Sequence, residues 1–388
     1  MNLKIPNSVI IVEHEANDVG PGHVLIQYFN KRKIDELVYI GHPNLYIKSG
    51  FKKSSRVICF RDGTLVWEKT GLHWILPEWA LYIKDVVYTI FWVICLRKKY
   101  DVFIGLGNIN AFCGCLLKLL GKAHRTIYYV IDYVPQRFTN PIMNWIYHTV
   151  DKFAADHSDS TWNLSPRMIE GREQRWHKKF SNQLVVPHGL YYDKNKFLPF
   201  NKINKHEIIY MGHLNAEQGI QLIIEALPEI AKKIPDISFT LIGTGNYEKD
   251  LKAMAKRLAV DKMVHFLGLI RDTQKMEKRL AKGAIAVALY NPNHGFSYYS
   301  DPGKIKHYLS VGLPIVMTDM PYVASIIRKN KCGLIACYGI PDIVDKITDL
   351  INDSTSLKIF RENSHRLAKL YDWDTLLNQS FSSLWNQK

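Results

Sequence analysis

The stretch IIYMGHLNAEQGIQLIIEALPEI, residues 208–230, decides the fold. Its first residues form a β-branched and aromatic run that predicts a buried strand, a polar loop with two glycines follows, and apolar residues then recur at helical spacing. The same pattern repeats along the chain. The strand candidates are SVIIV, ELVYIG, RVICF, DVFIG, TIYYVI, STWNLS and LVVPHG in the first half and EIIYMG, ISFTLIG, MVHFLG, AIAVALY, PIVMTD and GLIAC in the second. Strands that alternate with helices predict an α/β protein with parallel, doubly wound sheets.

The length predicts two domains. The chain has 388 residues, and a single core stops growing beyond about 250–300 residues. The stretch 187–205 is interrupted by Gly, Pro, Tyr and Asp, so we place the end of a first Rossmann-like domain at residue 188 and the start of a second at residue 189. We expect two such domains to face each other across a cleft, with ligands held by the loops that follow the carboxyl ends of the strands.

The composition restricts the class of partner. The formal net charge is +15, and both halves of the chain are basic, which predicts acidic partners. An arginine-rich arm, an RNP-like aromatic pattern and zinc-finger spacing are all missing from the sequence, so we expect no nucleic-acid partner. The six cysteines form no CxxC pair, and acidic residues follow the first apolar run closely. These features favour a reduced, cytoplasmic protein without a signal peptide or a structural metal.

One apolar stretch leaves two interpretations open. VVYTIFWVICL, residues 86–96, is rich in aromatic residues and is followed by Arg97, Lys98 and Lys99. Eleven residues are too few to span a bilayer, which needs about 20. The segment is therefore either a buried helix or a helix that lies on an anionic membrane surface, with the basic residues at the lipid phosphates.

Two glycine pairs open predicted helices. Gly20 and Gly22 stand in DVGPGHVLIQYF, and Gly243 and Gly245 stand in GTGNYEKDL. Glycine lets a backbone approach a ligand closely, and a helix N-terminus can bind an anion. A tight turn between strand and helix explains the same glycines, so neither pair decides between the two roles.

A stronger signal lies in SDPGKIKHYLSVGLPIV, residues 300–316. Asp301 is a suitable N-cap for a helix that starts at Pro302. Lys304 then lies in the first turn, where the helix dipole disfavours a cation. Lys304, His307 and Tyr308 share one helix face. We interpret Lys304 as a ligand for a phosphate, whereas Lys306 points another way and is expected to extend into water.

These motifs resemble those of a known family. IIYMGHLNAEQGIQLIIEALPEI, FTLIGTGNY, VHFLGLI, AIAVALY and DPGKIKHYLSVGLPIVMTD, within residues 207–337, are similar in order and spacing to the C-terminal domain of retaining GT-B glycosyltransferases of family 4 (group 1). The final segment, residues 371–388, resembles the terminal helix that crosses back to the first domain in this family, which leaves 189–370 as the donor domain.

The resemblance implies a function and a set of donor contacts. It implies a nucleotide-diphosphate sugar as donor, a glycan or lipid-linked acceptor held by the first domain, and transfer with retention. It implies no cofactor and no metal, and the cleft loops contain no Asp-x-Asp motif. The donor-binding residues that it implies, together with the loop residues above, are Gly22, His213, Gln218, Gly243, Gly245, Asp301, Gly303, Lys304 and His307.

The sequence departs from the family pattern at three of these positions. His213 and Gln218 stand where the family commonly has Arg and Lys for the diphosphate, and His307 stands where it has the Glu that holds the ribose. We interpret the chain as an enzyme with a rearranged site. The alternatives are a catalytically silent protein that binds sugar nucleotides or acts as a scaffold, and a sugar-nucleotide epimerase of similar fold.

The first domain supplies the candidate catalytic residue. Asp132 follows the strand TIYYVI, where the family often has His or His-Asp, and is predicted to orient the acceptor hydroxyl or to stabilise positive charge at the anomeric carbon. The structural alternative for Asp132 is a helix N-cap or an ion pair with Arg137. His14 and Arg137 are predicted acceptor contacts. The basic first domain and the segment 86–96 suggest a lipid-linked acceptor and peripheral contact with an anionic membrane at its cytoplasmic face.

Overall fold

A computed structural model describes residues 5–15, 20–44, 54–74, 76–293 and 295–386. The chain folds as two compact units, one of residues 1–187 with 377–388 and the other of residues 188–376. The first unit thus ends one residue before the predicted boundary, and it includes the end of the terminal helix.

The first unit contains an eight-stranded sheet. Its strands are β1 (Ser8–Glu15), β2 (Glu36–Pro43), β3 (Arg56–Arg61), β4 (Thr64–Thr70), β5 (Tyr100–Leu106), β6 (Ala123–Val130), β7 (Ser160–Asn163) and β8 (Gln183–Val185). They are ordered β4-β3-β2-β1-β5-β6-β7-β8. The strands from β2 to β8 in this order run parallel, as predicted, whereas β3 and β4 add an antiparallel hairpin at one edge.

Helices cover both faces of this sheet. They are α1 (Pro21–Lys31), α2 (Glu78–Cys95), α3 (Asn108–Leu119), α4 (Pro141–His157), α5 (Pro166–Trp176) and the end of the terminal helix, here α14 (Trp373–Asn386). Phe381 of α14 packs on Phe29 of α1, with ring centroids 5.3 Å apart. On the other face, Val93 of α2 and Cys113 of α3 pack on Phe103 in one buried core.

The second unit contains a six-stranded sheet that is parallel throughout. Its strands are β9 (Glu207–Met211), β10 (Ser238–Ile242), β11 (Val264–Phe266), β12 (Ile285–Ala288), β13 (Ile315–Thr318) and β14 (Gly333–Ala336). They are ordered β11-β10-β9-β12-β13-β14. All six were predicted, because each is a short, mostly apolar run. The central strands β9 and β12 are largely buried between the helices, as is usual in a parallel sheet.

The helices of the second unit form the layers beside this sheet. They are α6 (Ile220–Lys233), α7 (Glu248–Arg257), α8 (Thr273–Leu280), α9 (Gly295–Tyr299), α10 (Gly303–Ser310), α11 (Val323–Lys329), α12 (Ile340–Asn352) and α13 (Ser354–Ala368). The strand order changes direction between β9 and β12. Ligands of doubly wound sheets bind beyond such a switch point, which here brings together the loop after β9 and the loop between β12 and α10.

In the described part of the chain, no helix is both long and apolar enough to cross a membrane.

Candidate functional site

Lys304 lies at the switch point of the second unit, and its ammonium group faces the loop after β9. The Nζ atom is 2.6 Å from Oε1 of Gln218 and 3.0 Å from the hydroxyl of Tyr210. It also lies 4.3 Å from the centroid of the Tyr210 ring. The structure therefore brings together two of the residues predicted to bind the donor, Lys304 and Gln218.

The polar groups that contact Lys304 are uncharged. The side chain is partly buried, and burial lowers its pKa from 10.5 to about 7. Among the described residues, Lys304 forms no ion pair. Its polar contacts are a hydroxyl and an amide oxygen, and neither carries a charge. A cation held in this way at the second residue of α10, beside the free N–H groups of the first turn, is suited to bind an anion.

The glycines of the neighbouring loops are explained by backbone packing. Gly212 has φ 142°, and a Cβ atom there would lie 2.8 Å from Nζ of Lys304. A Cβ atom at Gly243 would collide with the carbonyl oxygen of Gly212, and one at Gly245 with that of Leu214. Both predicted donor glycines thus allow the loops after β9 and β10 to pack together, and a donor contact at either stays a prediction.

The structure does not place the imidazole of His213 beside Lys304. The side chain is exposed, and within the residues that the structure describes its ring has no hydrogen-bonding partner. Only its carbonyl oxygen is used here, accepting a 2.9 Å hydrogen bond from the hydroxyl of Tyr210. A role for the imidazole in binding the diphosphate stays a prediction.

The expectations for Asp301 as a helix cap and for Lys306 were wrong. The helix begins at Gly303, and Pro302 precedes it. The Asp301 carboxylate forms an ion pair with Lys306 and accepts a 2.7 Å hydrogen bond from the backbone N–H of His188. Lys306 is fully buried rather than solvated. It points away from Lys304, as predicted, but that side of the helix faces protein.

His188 was missed by the sequence analysis. A Cβ atom at Gly303 would lie 3.0 Å from its ring, so this glycine makes room for the imidazole at the start of α10. Burial and the nearby Lys306 lower the pKa of His188 to about 4, which keeps the ring neutral. The residue lies in the loop PHG after β8. Because it is far from Asp301 along the chain, no local sequence pattern could indicate that the two residues are in contact.

His307 is paired with a buried carboxylate that the sequence analysis also missed. Its Nδ1 atom is 2.9 Å from Oε1 of Glu277, and Oε2 of the same carboxylate is 2.6 Å from Nζ of Lys196. Burial alone would raise the pKa of Glu277, but these two partners outweigh burial and lower it. His307 thus has one ring nitrogen engaged by the protein, and its predicted donor contact would have to use the other.

In the first unit, Asp132 forms an ion pair with Arg137, which is one of the two structural alternatives to its predicted catalytic role. Oδ2 of Asp132 is 2.8 Å from Nη1 of Arg137, and both side chains are about one third exposed. The pair lies beyond β6, at the carboxyl edge of the sheet. It is accessible, and this geometry is compatible with either a catalytic or a structural role for Asp132.

His14 lies in a buried polar cluster formed by β1, β2, α2 and α3. Its Nε2 atom is 3.2 Å from Oδ2 of Asp85, and its Nδ1 atom is 3.2 Å from Nδ2 of Asn110. Asp85 is also 3.2 Å from Nδ1 of His42. Both ring nitrogens of His14 are thus engaged within the protein, so the predicted acceptor contact lacks a free hydrogen-bonding atom.

The space beside Gly22 is filled by another side chain of the protein, and a donor contact at this glycine stays a prediction. A Cβ atom at Gly22 would collide with the carboxylate of Glu13. That carboxylate accepts hydrogen bonds from the Gly22 backbone and from the Tyr39 hydroxyl at 2.8 Å. Burial raises the pKa of Glu13 to about 7. The group beside Gly22 at the start of α1 is therefore a carboxyl group of the chain itself.

The comparisons with known proteins agree with this fold. The crystal structure of HepE from Anabaena in complex with UDP superposes with a TM-score of 0.70 and 14% identity, over 98% of this chain and 100% of that one. The two units therefore define a GT-B fold. Residues 193–367 match the family described as Glycosyl transferases group 1. This match lies within the second unit, and it confirms the resemblance found in the sequence.

Two curated relatives carry related names. An uncharacterized glycosyltransferase of Haemophilus influenzae is 24% identical over 61% of this chain and 64% of that protein. Phosphatidyl-myo-inositol mannosyltransferase of Mycobacterium leprae is 19% identical over 58% of this chain and 64% of that protein. The chain thus spans less than two thirds of the length of these relatives.

Proposed function

We propose that this protein transfers a sugar from a nucleotide-diphosphate sugar to a glycan or lipid-linked acceptor, with retention and without a metal or other cofactor. The observation that carries the proposal is the Lys304 ammonium group. It lies at the switch point of the second unit, at the start of α10, beside Gln218 and Tyr210, and it lacks an ion pair among the described residues. A donor diphosphate would supply the missing negative charge.

The chemistry of the transfer fits such a cation. When the sugar leaves, negative charge grows on the diphosphate, and a preorganised cation with free N–H groups stabilises that charge most in the transition state. Gln218 adds a neutral amide where relatives commonly have a lysine. Lys304 would therefore carry more of the diphosphate charge than any other residue of the loops described here.

Two of the similar proteins support the proposed donor and acceptor classes. The HepE structure contains UDP, which supports a nucleotide donor. The name of the mycobacterial relative, a phosphatidyl-myo-inositol mannosyltransferase, supports a lipid-linked acceptor. We place the protein in the cytoplasm, in peripheral contact with an anionic membrane.

The donor class is tested by thermal unfolding with UDP-, GDP-, ADP- and dTDP-sugars. One class is expected to raise the unfolding midpoint, because a ligand that binds only the folded state stabilises it. An unfolding midpoint that no nucleotide sugar changes would contradict the donor assignment. A shift without transfer or hydrolysis of the donor points to a silent binding protein, and conversion of the donor to its epimer points to an epimerase.

A second test separates a catalytic Asp132 from a structural one. Asp132→Asn keeps an oxygen that can accept the hydrogen bond from Arg137 but removes the negative charge. If Asp132 acts on the acceptor or on the anomeric carbon, we expect kcat to fall about tenfold, equivalent to about 1.4 kcal/mol of transition-state stabilisation, with an unchanged nucleotide-induced shift. A lower unfolding midpoint with unchanged kcat would show that the Asp132–Arg137 pair is only structural.

A further inference from the structure

Helix α2 exposes a line of large apolar side chains. Trp79, Ile83, Val87 and Phe91 are spaced four residues apart, and their exposed fractions are 61%, 56%, 59% and 58%. At 1.5 Å per residue, the line from Trp79 to Phe91 extends for about 18 Å along the helix. We call these four residues the α2 stripe.

The α2 stripe is not interrupted by charge. Between Trp79 and Cys95 the charged residues are Lys84 and Asp85, and both turn inward. Asp85 is 1% exposed, and its Oδ1 atom lies 2.6 Å from Nζ of Lys84, which is 10% exposed. The opposite side of the helix buries Val93 in the core. A helix that is apolar on both sides normally has protein or lipid on both sides.

The fold holds the α2 stripe outward. On the inner side of the helix, Asp85 contacts His14 and His42, and Thr89 lies 2.8 Å from Nε2 of His42. Rotation of the helix to hide the stripe would break these contacts. It would leave a buried carboxylate unpaired, which is strongly unfavourable. The exposure of the stripe is therefore imposed by the polar cluster beneath it.

Positive charge surrounds the C-terminal end of α2. Arg97, Lys98 and Lys99 follow the helix and are exposed. Lys98 reaches Glu36 at 3.4 Å, whereas neither Arg97 nor Lys99 forms an ion pair with any residue that the structure describes. Lys122 joins the same end, because its Nζ atom lies 3.5 Å from the carbonyl oxygen of Ile94. An apolar line that ends in a basic cluster is complementary to an anionic lipid surface.

We propose that the α2 stripe inserts into the interface of an anionic phospholipid bilayer, with Arg97 and Lys99 at the lipid phosphates. A helix lying flat in the interface presents such a combination of a Trp- and Phe-containing face and flanking cations. A second copy of the chain fits less well. The stripe offers on the order of 500 Å², mostly from its aromatic rings, and a stable protein interface buries about 800 Å² on each partner.

This inference rests on the proposed function only for its role in the reaction, where it would bring the first unit to a lipid-linked acceptor. Vesicle binding is measured without nucleotide or acceptor. The failure of one proposal is therefore distinguishable from the failure of the other, since nucleotide-induced stabilisation is measured without vesicles.

The apolar contact is tested by co-sedimentation of the full chain with vesicles of phosphatidylcholine alone or mixed with phosphatidylglycerol. The wild type is expected to pellet with the mixed vesicles. Ile83→Glu should lower the vesicle partition coefficient by about tenfold or more, because it removes an apolar side chain that would insert into the bilayer and adds negative charge. Ile359→Glu is the matched control, since Ile359 lies in the second unit and is 47% exposed. It should pellet like the wild type.

The ionic contact is tested by Arg97→Gln with Lys99→Gln. Each removed charge is expected to weaken binding to the mixed vesicles about fivefold, corresponding to about 1 kcal/mol for a cation near an anionic surface, and high salt should reduce the difference. Lys256→Gln with Arg257→Gln removes the same two charges from exposed positions of α7. This control should leave binding unchanged.

Three outcomes would overturn the proposal. The first is a wild type that stays in solution with both kinds of vesicle. The second is equal loss of binding in Ile83→Glu and Ile359→Glu, which would place the lipid contact elsewhere. The third is a dimer in sedimentation velocity that Ile83→Glu converts to a monomer without any vesicle binding, which would assign the α2 stripe to a second copy of the chain.

Discussion

Replacing Lys304 by methionine is expected to weaken the binding of the protecting nucleoside diphosphate about 100-fold, since a hydrogen bond to a charged group contributes up to about 3 kcal/mol. The same change should raise the unfolding midpoint of the unliganded protein. Methionine keeps the length of the side chain and removes a cation that is partly buried without an ion pair among the described residues. The measurements are calorimetric titration and thermal unfolding.

The stability gained in Lys304→Met should depend on pH. Burial lowers the pKa of Lys304 from 10.5 to about 7 in the folded state, so the charged form is disfavoured by folding. The cost is complete below pH 7, declines as the pH rises from 7 to 10.5, and is absent above 10.5. Below pH 7 we therefore expect Lys304→Met to be more stable than the wild type by about 1–2 kcal/mol, after allowance for the remaining solvent access. This difference in the free energy of unfolding should decrease as the pH rises from 7 to 10.5.

Folding disfavours the charged form of Lys304, whereas nucleotide binding should favour it. A bound diphosphate favours the protonated ammonium group, so affinity for it should fall as the pH rises above about 7, and binding there should take up a proton. Binding of the nucleoside without phosphates should change little. Equal losses of nucleoside and nucleoside diphosphate affinity in Lys304→Met would contradict the phosphate role.

The parallel strands of the second unit could be predicted because their signal is local. Each is a short, mostly apolar run that alternates with helix-length segments, which is the pattern of a parallel sheet covered by helices. The hairpin of β3 and β4 was not predicted. β4 is exposed along almost its whole length, so it lacks the burial expected of a strand in a doubly wound sheet, although its three apolar residues Leu65, Val66 and Trp67 and the two-residue turn of Asp62 and Gly63, with φ 50° and 79°, are features of such hairpins.

The candidate site could be predicted only where neighbours in sequence decide it. Helical spacing placed Lys304 and Lys306 on different sides of α10, since two residues correspond to about 200° of rotation. It could not show that the side carrying Lys306 is covered, because His188 is 113 residues from Asp301 along the chain. In the same way, Glu277 is 30 residues before His307.

The two lysines together show how one short helix serves two purposes. Lys304 has neutral polar contacts, so its ammonium group can pair with a ligand. Lys306 forms an ion pair with Asp301, and the Asp301 carboxylate in turn accepts a hydrogen bond from the backbone N–H of His188. The first arrangement costs stability and favours binding. The second stabilises the loop that leads into the helix, so a ligand meets a first turn that is already in place.

Lys306→Met is therefore expected to act in the opposite direction to Lys304→Met, although the two substitutions are chemically identical and lie two residues apart. It leaves the buried Asp301 carboxylate without its cation, which typically costs about 3–5 kcal/mol. We expect faster hydrogen exchange in peptides covering residues 300–310, with unchanged exchange in residues 56–70 of the first unit.

The double variant Asp301→Asn with Lys306→Met distinguishes a lost ion pair from a lost packing contact. Asparagine still offers an oxygen to the His188 N–H, and without Lys306 it leaves no buried charge, so exchange in residues 300–310 should return most of the way to the wild-type rate. If Lys306 acted only through its apolar stem against Tyr371, whose ring centroid is 5.0 Å from Nζ, the second substitution would add to the damage of the first instead of relieving it.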